Sequence, residues 1–195
     1  MNGLIYRSFE NFLRNTYGAE LWLRTMEELD EGIESFEPMF EYDATLIQRI
    51  TLIASEFLDK PREVLLEDFG TYLVAHPSSE RVRRLLRFGG VDYKDFLDSL
   101  EDLRGRAHLA VPDLELPEVR LEELGKGEFE LHCQGADDGA GHVYVGLLRA
   151  LADDYGALVL IDFDGRHNGV DQISVRLLES DYSEGRGFAL TQQAS

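Results

Sequence analysis

Five histidines and a single cysteine limit the chemistry that this sequence can carry. His132, Cys133, Asp137, Asp138 and His142 bring metal-ligand atoms together within a short stretch. Zinc sites favour CxxC or HExxH spacings, which set the ligands on one turn or one helix face, and neither spacing occurs. The cluster therefore reads as a solvated loop beside a strand. Asp162, Asp164, Asn168 and Asp171 have the composition of a calcium loop without the EF-hand spacing, and read as a polar hairpin loop. No glycines fall in a phosphate-binding register before a helix, and no paired acid and base suggest catalysis. Arg81, Arg83, Arg84 and Arg87 form a basic cluster on a short helix. A solvated face is the expectation there, with contact to an acidic partner as the alternative.

One constellation asks for more. Leu97, Leu100, Arg104 and His108 recur at steps of three and four, so a long helix from about Asp92 to Leu109 places them near one stripe. An arginine on an apolar stripe costs free energy unless a carboxylate or a ligand meets it. Either the side chain snorkels at the edge of the core, or a cation points into a ligand pocket.

The elements that would position these residues follow from periodicity. Ile5, Phe9, Phe12 and Leu13 mark a first helix that closes at Tyr17-Gly18, and Leu21, Trp22 and Met26 mark a second. From Thr25 to Gln48 there is no lysine or arginine while acids accumulate, and Gly32 and Pro38 interrupt any regular element. That stretch reads as an exposed acidic connection. Leu46 to Phe57 form a third helix, Pro61 starts a fourth that ends before His76-Pro77, and Ser78-Ser79 cap a short fifth ending at Phe88-Gly89-Gly90. After Pro112 the period changes to two. Glu118–Glu123 and Glu128–Cys133 alternate as strands around Gly125-Lys126-Gly127, and Ala157–Phe163 and Gln172–Leu178 follow a helix from Gly141 to Asp154. The loop between the last two strands is Asp164–Asp171, and the end of the chain from Ser183 looks frayed. Helices first, then a sheet with one inserted helix, is an α+β plan.

Composition agrees with one soluble domain. The chain has 195 residues, 44% hydrophobic and 29% charged, with 38 acids against 19 bases and a net charge of −19. A field of that sign repels phosphate backbones and anionic lipids, so neither nucleic acid nor a membrane is an expected partner. One cysteine allows no intrachain disulfide and fits a reducing, cytoplasmic setting. No apolar run approaches the ~20 residues of a membrane span, and the opening residues have no signal-peptide pattern.

The sequence resembles the heme–nitric oxide/oxygen binding (H-NOX) family. MNGLIY at the start, NTYGAELW at 15–22, the segment 54–73, LLRFGGVDYKDFLDSLEDL at 85–103, PDLELPEV at 112–119, GHVYVGLLRALADDYG at 141–156 and HNGVDQISV at 167–175 carry the likeness in order. The resemblance implies a sensor domain over residues 1–182, followed by a flexible tail at 183–195. It also implies heme as cofactor, held by a histidine in a run like LDDLH and by a YxSxR clamp on the propionates. Here the run is Leu100-Glu101-Asp102-Leu103-Arg104, and no placement around Cys133–Asp138 recovers the clamp. A guanidinium has no lone pair to give to iron.

The expectation is therefore a sensory or regulatory domain, not an enzyme, that does not bind heme in the family's usual way. By resemblance it works through a separate partner, a histidine kinase or a cyclic-di-GMP enzyme. Its ligand pocket is expected from Ile5, Leu97, Leu100, Arg104, His108, Pro117 and Leu147. The alternative is a heme-dependent nitric oxide or oxygen sensor with His108 as the axial metal ligand, ~6 Å along the helix from Arg104. In the heme-free reading Arg104 pairs with Asp137, Asp138 or Glu101, or else stays free for an acidic ligand.

Overall fold

In the computed structural model, which describes residues 1–88, 90–135 and 138–178, eight helices precede and interrupt a four-stranded sheet. The expected tail at 183–195 lies outside the described residues. Helix α1 (Gly3–Tyr17) starts where the Asn2 side chain accepts the Leu4 N–H, and stops at Gly18, whose φ of 96° favours glycine. Helices α2 (Ala19–Leu29), α3 (Thr45–Leu58) and α4 (Arg62–Ala75) follow, with Pro61 just before α4 as expected. The short α5 (Glu80–Arg87) differs in one detail. Its lead-in turn is capped by the His76 ring, which accepts from the Ser78 N–H, rather than by a serine.

The acidic connection between α2 and α3 is mostly exposed, as its composition suggests, but it is anchored at Phe36. Phe36 is buried, its N–H donates to buried Glu10 at 3.0 Å, and the Trp22 indole donates to the Glu34 carbonyl. Glu10 in turn pairs with Arg7 and Arg14 and accepts from Ser35. A buried carboxylate with this many donors is satisfied rather than costly.

The long helix expected from Asp92 to Leu109 is broken. Helix α6 (Tyr93–Asp98) passes into a 3₁₀ segment, Ser99–Asp102, before α7 (Leu103–Ala110) resumes. Ser99 donates back to the Phe96 carbonyl, and Arg106 donates to the Ser99 carbonyl, which holds the tighter turn. Each 3₁₀ residue rotates the chain by about 20° more than an α residue, so the register of α7 is turned by roughly 80°.

Strands β1 (Glu118–Gly125), β2 (Glu128–Gln134), β3 (Val159–His167) and β4 (Val170–Leu177) form an antiparallel sheet in the order β1-β2-β4-β3. The supposed loop Asp164–Asp171 is mostly strand. β3 and β4 continue to a two-residue turn at Asn168-Gly169, both with positive φ, as an Asn-Gly hairpin requires. One sheet face buries Val119, Phe129, Leu131, Cys133, Ile161, Ile173 and Val175 in the same core as α8 (Ala140–Tyr155). The other core lies among α1–α4 and is rich in aromatic rings, including Tyr6, Phe9, Phe12, Trp22, Phe36 and Phe69. Helix α4 belongs to both, giving Leu65, Leu66, Phe69 and Tyr72 to one core and Val74 to the other. It crosses α8 with almost no separation. A Cβ on Gly146 would sit 1.8 Å from the Glu67 carbonyl oxygen, and one on Gly70 would sit 2.0 Å from that of Val143.

Candidate functional site

The register change in the broken helix decides where its side chains go. Leu97, Leu100, Leu103 and Ala107 are buried, whereas Glu101, Arg104 and His108 form an exposed polar stripe. The stripe expected to carry Leu97, Leu100, Arg104 and His108 together is thus split, because the 3₁₀ turn rotates α7 relative to α6.

Arg104 and His108 line a cleft of about 820 Å³. Its floor is the 3₁₀ segment and α7, from Glu101 to His108. One wall is the loop Pro112–Glu115 with Glu118 at the start of β1, and the other is Met1, Asn2 and Glu41. The second wall is fastened by hydrogen bonds. The Met1 ammonium donates to the Tyr42 carbonyl, the Gly3 N–H to that of Phe40, and Asn2 forms an isolated bridge with Glu41. Gly3 is required there, since a Cβ would meet the Glu37 carbonyl oxygen at 2.1 Å. Asn2 also reaches across to the Asp113 carbonyl at 3.5 Å, a long contact between the two walls.

Of the seven expected pocket residues, only Arg104 and His108 meet in this cleft. Leu97, Leu100 and Leu147 are packed in the core beneath the sheet, Ile5 is half-buried on α1, and Pro117 is half-buried near Gly135. The expected charge pairs of Arg104 are not formed among the described residues. Asp138 accepts from Arg62 of α4 at 3.1 Å, and Glu101 accepts the Leu121 N–H at 2.9 Å. Asp137 lies outside the described residues. Arg62 is anchored in turn on the Thr51 hydroxyl, so α4 already supplies the guanidinium that Asp138 needs.

The other candidate clusters do not assemble. Among the described residues no three metal-ligating side chains could hold a metal ion. His132 lies 3.5 Å from Glu130 and 3.8 Å from Glu122 on the outer sheet face, while Cys133 points into the core. Burial first, and the Asp171 carboxylate second, push the Cys133 thiol up to about 12, so it is no thiolate at neutral pH. His142 is instead on α8, its ring tilted by 35° against that of Phe163 with centroids 4.1 Å apart, and its Nδ1 lies 3.6 Å from Glu67. Asp171 caps the start of α8 through the Gly141 N–H and pairs with Arg166. In the basic cluster, Arg83 and Arg87 both bind Asp154, and Arg84 binds Glu80.

Sequence reasoning missed the carboxylates of the cleft: Glu41, Asp102, Asp113, Glu115 and Glu118. Nothing in their spacing announces convergence, because they come from three distant segments. The one local signal was Asn2, a good N-cap that fixes the chain start beside them.

A family model for haem-NO-binding domains matches residues 2–162. Soluble guanylate cyclase 89Db of Drosophila melanogaster is 20% identical over 155 residues, covering 80% of this chain and 23% of that protein. Soluble guanylate cyclase gcy-35 of Caenorhabditis elegans is 26% identical over 156 residues, covering 78% and 22%. An H-NOX protein of S. oneidensis in the Fe(II)NO state superposes with a TM-score of 0.75 at 16% identity, over 92% of this chain and all of that one. The unliganded Fe(II) H-NOX protein of K. algicida gives 0.76 at 16% identity, over 93% and 99%. The chain belongs to the haem-NO-binding, or H-NOX, family. It spans about a quarter of the length of the guanylate cyclases that it matches, and the matched part is a sensor domain, not itself catalytic.

The family binds heme, and the residues present can be tested against that group. The cleft presents the guanidinium of Arg104, which has no lone pair to give to iron, beside the exposed His108. The cleft around it is rimmed by six carboxylates, which repel anionic propionates, and the large apolar residues are packed in the two cores instead of around it. These residues do not fit heme held in the family's manner.

Proposed function

We propose that this domain is a sensory or regulatory module of the H-NOX type that acts on a separate signalling partner without heme bound through its usual helix position. The observation that supports this reading is that Arg104, which by resemblance stands at the iron-ligand position, lines an acid-rimmed cleft. By analogy with the family, the partner is a histidine kinase or a cyclic-di-GMP enzyme in the cytoplasm. The absence, among the described residues, of a helix long and apolar enough to cross a membrane is consistent with that setting.

One observation favours a second reading. His108 shares the cleft with Arg104, one turn away, and is exposed. As axial ligand it would make the domain a heme-dependent nitric oxide or oxygen sensor. Expression with a heme precursor separates the two by visible spectroscopy. The first reading expects colourless protein. A stoichiometric Soret band that vanishes in His108→Ala would establish the second.

A further inference from the structure

The two edge strands of the sheet differ. The β1 edge is covered: the 3₁₀ segment Ser99–Asp102 packs against it, and Glu101 accepts the outward Leu121 N–H at 2.9 Å. The β3 edge pairs with no further strand among the described residues. Arg149 of α8, held by Glu67, reaches it and donates to the Ile161 carbonyl at 3.0 Å. Leu178, just past β4, donates to the Leu158 carbonyl at 2.8 Å. By alternation the polar groups of Val159 therefore point away from β4, to the open side. Such an edge is a template for pairing with another strand.

A second observation falls on the same strand. Leu158, Leu160 and Leu178 are 58%, 49% and 43% exposed. Leu158 lies opposite Leu178, and Leu160 follows two residues on, so the three share the outer face as one apolar patch. Elsewhere that face carries Glu130, His132, Gln172 and Ser174. From Gly156 to Ile161 no residue is charged, although the chain as a whole has a net charge of −19. Two copies can approach along that strip without direct contact between like charges.

The same residues fix a register. Antiparallel pairing of β3 with β3 of a second copy, about a two-fold axis at Val159, sets Leu158 of each copy opposite Leu160 of the other. It joins the N–H and C=O of the two Val159 residues to each other, and it sets Ile161 opposite Ala157. There the Ala157 N–H already donates to the Ala152 carbonyl at 2.8 Å, and the Ile161 carbonyl already accepts from Arg149, so the pairing strands neither group. Leucines and backbone thus ask for one axis.

We propose that β3 is a self-association edge, at which two copies of the chain pair antiparallel through Val159 and bury Leu158, Leu160 and Leu178 of each. The contact is isologous and closes on itself, so it gives a dimer and not a filament. Its patch is small against the ~1,200–2,000 Å² of a stable interface, and the dissociation constant is expected at roughly 10–500 µM. The inference goes beyond the functional reading above and does not depend on whether heme is bound.

Sedimentation equilibrium of the purified full chain over about 5–500 µM, in about 0.15 M and 0.5 M salt, tests it. The expected result is a reversible monomer–dimer equilibrium, tighter at the higher salt because the net charge is screened. Amide exchange at Val159 should slow as the concentration rises. Leu160→Glu places two carboxylates beside the axis and is expected to weaken dimerisation by roughly tenfold or more. Leu158→Glu is the second variant. Both positions are exposed, so an unchanged melting temperature verifies that each is folded. Three outcomes overturn the proposal. One is a monomer up to about 500 µM in about 0.5 M salt. Another is a dimer indifferent to both variants with Val159 exchange unchanged, which marks a different surface. The third is a monomer with slow Val159 exchange at every concentration, which marks residues 179–195 of the same chain as the cover.

Discussion

Where α4 crosses α8 the backbones leave no room for a side chain, and the nearby charges of Glu67 and Arg149 are paired. Along α7 the reverse holds: there is open space, and charged groups stand in it without partners. Packing density and polar satisfaction are what folding selects, so the first region is built for stability. Unpaired charge around an open cleft contributes little to folding.

That contrast can be broken at three places. The largest effect is expected at the crossing. Gly146→Val would force side-chain atoms onto the Glu67 carbonyl, and separating the helices should cost about 3 kcal/mol or more in a urea melt. A variant as stable as wild type would show that the crossing can relax, and would weaken the claim that it is built for stability. Glu10→Ala should cost less, about 2 kcal/mol, by leaving the buried Phe36 N–H unsatisfied and releasing the acidic connection. Faster proteolysis between residues 30 and 44 is the accompanying readout. The smallest effect belongs to the cleft. Arg104→Gln should change stability by no more than about 0.5 kcal/mol, as for an exposed side chain without partners. A clear loss of stability in that variant would mean that the guanidinium serves the fold after all.

Much of the scaffold was legible because local physics specifies it. Pro61, the Tyr17-Gly18 stop, and the alternation through Leu121, Phe129 and Leu131 each act within a few residues, and the order of helices before strands follows from them. The 3₁₀ turn at Ser99–Asp102 was hidden. Its causes are the Ser99 back-bond and a side chain seven residues on, Arg106, neither of which alters the apolar period. The burial of Phe36 depends on Glu10, which lies 26 residues earlier. At the site, Arg104 and His108 were visible as chemistry, but their surroundings were not. The pairing of Asp138 with Arg62 joins residues 76 positions apart, and long-range choices of this kind leave no trace in spacing.

The sharing of α4 between both cores bears on how the molecule comes apart. A cut between α4 and α5 would give neither piece a finished interior. The first fragment would keep Gly70 and lose the Val143 turn against which it is seated, while the second would keep α8 with its small-residue face open to water. The helical and sheet-bearing halves are therefore expected to melt as one cooperative unit. Neither half would serve as a portable module in a fusion, and grafting this sensor onto another protein would require both.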